Sequence, residues 1–228
     1  MPVSIFTLSN RRGMAVRISS IGAALLSLQV PDRHGQLADV LHGGQADDGI
    51  HLLPAPGRAL HRQAWHAVPL LDDGSVGVRF VSPGAPAVVA SYVLDDAGAL
   101  VLQCEVAAPA PAALCVATTL RLDGQLLTVQ AGRVVPGGAH EQEVAATAWD
   151  FRQPRPAAEL AGPARFLPHP GAALALRLLD PVGGRLLALE GGMASVRLGG
   201  GDAPGTLQLE PVLAAPGGRI VFRCSAQT

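Results

Sequence analysis

The stretch Tyr92 to Val106, YVLDDAGALVLQCEV, decides the fold class. Tyr92 and Leu94 lead into Asp95-Asp96-Ala97-Gly98, a four-residue loop, after which Leu100, Leu102, Cys104 and Val106 recur at every second position. Side chains of a strand alternate between two faces, so this spacing reads as a β-hairpin with one apolar face. The same period extends outward. Towards the N-terminus, Val76, Val78 and Phe80 form an alternating set, as do Met14, Val16 and Ile18. Leu26, Leu28 and Val30 alternate with Ser27 and Gln29 before Pro31-Asp32-Arg33-His34-Gly35 turns the chain. Towards the C-terminus, Leu174, Leu176 and Leu178 run through Asp180-Pro181-Val182-Gly183-Gly184 to Leu187 and Leu189. Leu207 and Leu209 run through Ala215-Pro216-Gly217-Gly218 to the segment Ile220 to Cys224. Both are expected to be hairpins. No helical spacing is sustained over about a dozen residues, and short strands with frequent Gly and Pro turns predict an all-β sandwich, here a single domain over residues 1–228. The loop-like stretches are Gln45 to Arg62 and Gln153 to Gly171, either bordering a binding cleft or forming polar surface loops.

Composition excludes several function classes. The 228 residues are 49% hydrophobic and 15% charged, with Gly 27 and Pro 19, which excludes a disordered chain and, without a glycine period, a collagen. A net charge of -1 and eight aromatic residues (Phe 5, Trp 2, Tyr 1) leave little to neutralise a phosphate backbone or stack on bases, so no nucleic-acid partner is expected. All 17 basic residues are Arg, and without lysine there is no Schiff-base chemistry. Cys104, Cys115 and Cys224 are odd in number, lack a CxxC pair and lie in apolar stretches, as buried free thiols do. The segment MPVSIFTLSNRRG lacks the layout of a signal peptide, and no apolar run is long enough to cross a membrane as a helix; a cytoplasmic protein with no membrane partner is expected.

Motifs for several chemistries are missing. His34, His42, His51, His61, His66, His140 and His169 contain no HxH or HExxH arrangement, so no metal is expected. Leu198-Gly199-Gly200-Gly201-Asp202 is no phosphate loop and reads as a turn, and a Gly-x-Ser-x-Gly elbow is absent.

Phe6, Leu8, Asn10, Gly13, Val16, Ile18, Gly22-Ala23, Ser27-Leu28, Val30-Pro31-Asp32-Arg33, Gly35, Asp39-Val40 and Gly43 form one ungapped series. It resembles the opening of the aldose 1-epimerase (galactose mutarotase) family. Trp65, the Val78 to Ser82 strand, Tyr92 to Leu94 and Leu100 follow the family's order, Thr147-Ala148-Trp149-Asp150-Phe151-Arg152 resembles its threonine-x-phenylalanine-aspartate-phenylalanine-arginine segment, and Leu209-Glu210-Pro211 resembles the strand bearing its glutamate. The resemblance implies a galactose mutarotase-like β-supersandwich, truncated here, that interconverts the anomers of a hexose. In that chemistry a carboxylate takes the proton of the C1 hydroxyl while an acid protonates the ring oxygen; the ring opens, C1 rotates and the ring recloses, without metal or cofactor.

On this resemblance Glu210 is the catalytic base. Its place in Leu207-Gln208-Leu209-Glu210 puts it with Gln208 on the polar face of a strand, where a solvated glutamate would look the same. The family's acid histidine falls on Ala117, in Ala117-Thr118-Thr119-Leu120-Arg121-Leu122-Asp123-Gly124, and its sugar-binding aspartate falls on Pro168. Gly57-Arg58-Ala59-Leu60-His61-Arg62 resembles the family's glycine-arginine-x-alanine-asparagine-arginine element, making Arg62 and His61 substrate-binding candidates. Trp65 and Trp149 are candidate sugar platforms or core residues. Two readings follow: a carbohydrate-binding protein of this type, catalytically degenerate because of Ala117, or an active epimerase in which His61 or His66 substitutes for the missing acid. The partner is a monosaccharide or sugar derivative in either case; the oligomeric state stays open.

Overall fold

The computed structural model describes residues 3–226 except 46, 54–58, 73, 108–112, 123, 138, 202 and 214–216. Among the described residues, twenty strands run in chain order. The first five are β1 (Ile5–Ser9), β2 (Ala15–Ser19), β3 (Leu25–Pro31), β4 (Leu37–Asp39) and β5 (Gly49–Leu53). Then come β6 (His66–Asp72), β7 (Ser75–Val81), β8 (Ala87–Asp95), β9 (Ala99–Ala107) and β10 (Ala113–Arg121). The next five are β11 (Leu126–Gln130), β12 (Arg133–Pro136), β13 (Gln142–Glu143), β14 (Arg155–Pro156) and β15 (Ala164–Leu167). The last are β16 (Ala175–Leu179), β17 (Arg185–Gly191), β18 (Met193–Gly200), β19 (Thr206–Leu213) and β20 (Gly217–Ala226). Among the described residues the only helical pieces are single 3-10 turns at Leu60–Arg62 and Ala157–Glu159.

The strands form three antiparallel sheets, ordered β1-β2-β3-β4, β13-β12-β15-β18-β19-β10-β5 and β14-β11-β16-β17-β20-β9-β8-β7-β6. One continuous cluster of buried side chains, from Leu8 to Cys224, joins them. The predicted hairpin is β8–β9, with Tyr92, Leu94, Leu100, Leu102 and Cys104 fully buried on its inner face. Asp95 closes its turn by accepting the Ala99 amide at 2.8 Å. The β16–β17 hairpin forms as expected.

Several local expectations are corrected. Leu207-Leu209 and Ile220 to Cys224 do not form a hairpin: β19 belongs to the seven-stranded sheet and β20 to the nine-stranded one, so the connection passes between sheets. Its Ala215-Pro216 lies outside the described residues. Leu198 to Gly200 are strand residues at the end of β18, not a turn; Asp202 is not described. In β3 the register slips, Ile18 pairing with Leu25 but Arg17 with Ser27. Leu26 is the extra residue of a β-bulge, which sends Leu25 and Ser27 inward instead of Leu26. Both loop-like stretches contain strands that reach the seven-stranded sheet, β5 in the first and β15 in the second.

The N-terminal residues that carry the resemblance do structural work. Asn10 accepts the Arg12 and Met14 amides, and Asp32 accepts those of His34 and Gln36. Gly22 sits at φ +64, and a Cβ there would meet the His61 carbonyl oxygen at 2.5 Å, so glycine lets the Leu60–Arg62 turn pack against this backbone.

Candidate functional site

The seven-stranded sheet buries one face and presents the other outward. Leu114, Val116, Leu120, Leu209, Val196, Leu198 and Phe166 are on the buried face. On the outward face one register row crosses six strands: Val135 pairs with Arg165, Arg165 with Arg197, and Arg197 with Glu210. The pairing of Cys115 with Val212 and of Thr118 with Leu209 sets Ala117 opposite Glu210, and Ala117 pairs in turn with Gly49. The row thus reads Val135, Arg165, Arg197, Glu210, Ala117, Gly49: charge in the middle and almost no side chain at the β5 end.

Those small residues leave a depression of about 370 Å³, lined by Asp47, His51, Leu53, Cys115, Ala117, Arg165, Arg197, Gln208, Glu210 and Val212. Glu210 stands on its floor and accepts a hydrogen bond from Arg197 Nη1 at 2.9 Å. The carboxylate is the more buried partner, its side chain 20% exposed against 48% for the arginine. Cys115, opposite Val212, has its thiol pushed up to about 12 by burial first and then by the negative charge of Glu210, so it stays protonated and inert.

His51 forms the far wall. It is carried by β5, where Ile50 and Leu52 point into the core and His51 points out. Its Nε2 lies 2.8 Å from the Asp47 carbonyl oxygen. The ring stacks on that of His61, with centroids 4.2 Å apart and planes at 23°. His61 is itself nearly enclosed, at 11% side-chain exposure, and among the described residues neither ring nitrogen has a hydrogen-bond partner; the Asp47 carboxylate is 3.9 Å away. Burial, followed by the neighbouring His51 and Arg62, holds its pKa below the usual 6.5 against the opposing pull of Asp47. Asp48, behind this loop, accepts the Gln45 amide and the Thr119 hydroxyl, and burial raises its pKa.

The sequence candidates therefore separate. Glu210 lies in the depression, and Ala117 faces it from the next strand. His61 backs His51 from behind and is not part of the lining. Arg62 is two-thirds exposed and 3.7 Å from Asp47, outside the lining. Gly57-Arg58 and Asp123 lie outside the described residues. His66 opens β6, the edge of the other sheet, and does not line the depression. Trp65 is a core residue whose Nε1 donates to the Leu60 carbonyl at 3.0 Å, and Trp149 packs against the core away from the depression. The Asp150–Arg152 ion pair borders a separate hollow with Gln130 and Gln153.

Sequence reasoning missed His51, Arg165 and Arg197 as site residues. The signal for His51 was present, since Ile50-His51-Leu52 alternates, but Asp47, Asp48, Pro54 and Pro56 made its surroundings read as loop. Arg165 was hidden in the same way among the prolines and glycines around β15.

No protein-family model matches the chain, nor does any curated protein sequence. Solved structures do. A GalM/aldose epimerase homologue from C. elegans superposes with a TM-score of 0.80 at 18% identity, over 98% of this chain and 99% of that one. Galactose 1-epimerase from Lactobacillus acidophilus gives 0.71 at 14%, over 98% and 94%. A putative mutarotase from Salmonella typhimurium gives 0.68 at 11%, over 99% and 91%. At these identities the shared property is the fold, and the chain has the fold of the galactose mutarotases. The likeness read from the N-terminal segment thus extends, as architecture, along nearly the whole chain.

Proposed function

We propose that the chain is an aldose 1-epimerase-like carbohydrate-binding protein that takes a monosaccharide or sugar derivative into the depression over β5, β10, β19 and β18, and that it is catalytically degenerate. The observation that carries this is the row Arg197–Glu210–Ala117–Gly49. The carboxylate suited to accept the C1 hydroxyl proton is held in place, while the position facing it offers a methyl group where an acid would be needed. A methyl group cannot protonate a leaving ring oxygen, and losing a positioned general acid costs about 10² to 10⁴ in rate. Polar groups converging above a concave floor suit a sugar, whose hydroxyls require partners. The core cluster running from Leu8 to Cys224 supports reading residues 1–228 as one domain.

A specific observation favours a second reading, an active epimerase. His51 is the one described histidine that lines the depression, across it from Glu210. As imidazolium it could protonate the ring oxygen while Glu210 takes the C1 hydroxyl proton. The C1–ring oxygen bond then breaks with its electron pair on the oxygen, and reclosure after rotation returns both protons.

Polarimetry of freshly dissolved α-D-glucose and α-D-galactose separates the two. A wild-type rate equal to buffer, together with sugar binding by calorimetry that Glu210→Gln weakens, is the expected result. A fast rate lost in both Glu210→Gln and His51→Asn would establish the second reading, and absence of both rate and binding would sink both.

A further inference from the structure

Arg165 and Arg197 face each other directly across β15 and β18. Like charges opposed on one face of a sheet repel, so the arrangement costs stability unless something neutralises it. Arg197 has Glu210 as its partner. Arg165 is exposed, and among the described residues it makes no ion pair or side-chain hydrogen bond. Of the other carboxylates near this face, Asp47 lies close to His61 and Arg62 at the opposite wall, Glu141 is bonded to Arg133, and Glu143 stands across from Arg133 on the edge strand, two strands from Arg165. Two guanidinium groups therefore stand at the β15–β18 end of the depression beside a single carboxylate, which Arg197 alone bonds, and all three groups line it.

We propose that Arg165, with Arg197 beside it, binds an anionic substituent, a phosphate or a carboxylate, of the sugar seated next to Glu210. This rests on the sugar-binding reading above and names its ligand class. A guanidinium presents a planar fork of N–H donors that matches the oxygens of a phosphate or carboxylate, and the fork of Arg165 is free. The layout of the row fits one elongated ligand. The ring occupies the space left by Ala117 and Gly49, and the anionic arm runs along the row over Glu210 towards Arg165. The backbones of Ala117 and Arg165 are three strand spacings apart, about 14 Å, so the long arginine side chain can reach the arm without the ring leaving Glu210. A neutral hexose would leave Arg165 with no role.

Calorimetric titration of the full chain with D-glucose, D-glucose 6-phosphate, D-glucuronate and inorganic phosphate tests this, repeated with Arg165→Ala and Arg165→Lys. The expected result is at least about tenfold tighter binding of one or both anionic sugars than of glucose. Arg165→Ala should bring them down to the affinity of glucose, Arg165→Lys should restore part of the preference, and rising salt should weaken the anionic sugars alone. The phosphate and carboxylate arms tell the two anions apart. Glucose bound as tightly as both anionic sugars would overturn the anion site and leave the sugar reading standing. Phosphate bound through Arg165 with no sugar of either kind bound would do the reverse. Anionic preference unchanged in Arg165→Ala would overturn the assignment to this residue. Far-ultraviolet circular dichroism of the exposed-site variants checks that the fold is kept.

Discussion

The two large sheets each present an outward row of side chains, and the rows are built differently. On the nine-stranded sheet one row runs Val68, Arg79, Ser91, Gln103, Arg219. Arg79 has neutral neighbours on both sides, and Arg219 stands opposite the neutral Gln103. On the seven-stranded sheet the row runs Val135, Arg165, Arg197, Glu210, Ala117, Gly49, with two cations side by side, one carboxylate, and then two of the smallest residues. In the first row charges are kept apart, although its Gln103–Arg219 end borders a hollow of about 530 Å³. The second concentrates like charge at one end and removes side-chain volume at the other, both unfavourable for the sheet alone, which is what the ligand-binding reading proposed above requires of it.

The strongest way to sharpen this contrast is to refill the empty position. Ala117 lines the depression opposite Glu210, so Ala117→His places an imidazole beside the carboxylate. If the missing acid is what separates this row from a working epimerase, anomer interconversion measured by polarimetry should rise by about 10²-fold or more. Ala117→Ser, of similar size but without a useful proton donor, should stay at the background rate. An Ala117→His protein that folds, binds sugar and shows no gain would mean that the pocket lacks more than an acid.

The same contrast explains what was legible in the sequence. The fold announced itself because burying one face of a strand imposes a period of two, as in Leu100, Leu102 and Cys104, and because positions such as Gly22 and Asp32 satisfy backbone demands that few other residues can meet. The strand pattern put Glu210 on a polar face opposite two leucines, and only the family resemblance set it apart from a solvated glutamate. Its neighbours on the row were not legible, because cross-strand pairing joins Arg165, Arg197, Glu210 and Ala117 across gaps in the chain that no local pattern records. The β19–β20 error has a related cause: an alternating run, a turn and a second run look alike whether the strands pair or part to different sheets.

Gly22→Ala should have the next largest effect. The residue adopts φ +64, and the added methyl would meet the His61 carbonyl, so a loss of about 2–3 kcal/mol in urea denaturation is expected. Gly13→Ala is the matched control: φ is +82 but none of the described residues lies within 4 Å, so only the left-handed backbone cost of about 1 kcal/mol should appear. Equal losses would mean that the close approach behind His51 contributes nothing.

Acidification probes the same wall. Enclosure keeps His61 neutral in the fold, with His51 and Arg62 adding to the effect and Asp47 opposing it, so the unfolded chain takes up the proton more readily. The His61 contribution is fully present above the ordinary value of 6.5 and is lost as pH falls below it towards the lower folded value. Denaturation midpoints measured at several pH values should fall below pH 6.5 in the wild type and fall less in His61→Gln. Parallel curves would remove His61 as the titrating group.

The smallest effect tests the comparison most directly, because it asks for opposite signs from two exposed arginines. Arg165 opposes a like charge, so Arg165→Gln should stabilise the ligand-free protein by about 0.5 kcal/mol at low salt, and the gain should shrink as salt screens the pair. Arg79 pairs with neutral Val68 and Ser91, so Arg79→Gln should change nothing or cost slightly. A residue whose removal stabilises the empty protein but abolishes its preference for an anionic ligand is retained for binding at the expense of the fold. If Arg165→Gln instead destabilises, Arg165 contributes to the sheet much as Arg79 does, and the difference between the two rows reduces to the carboxylate and the space beside it.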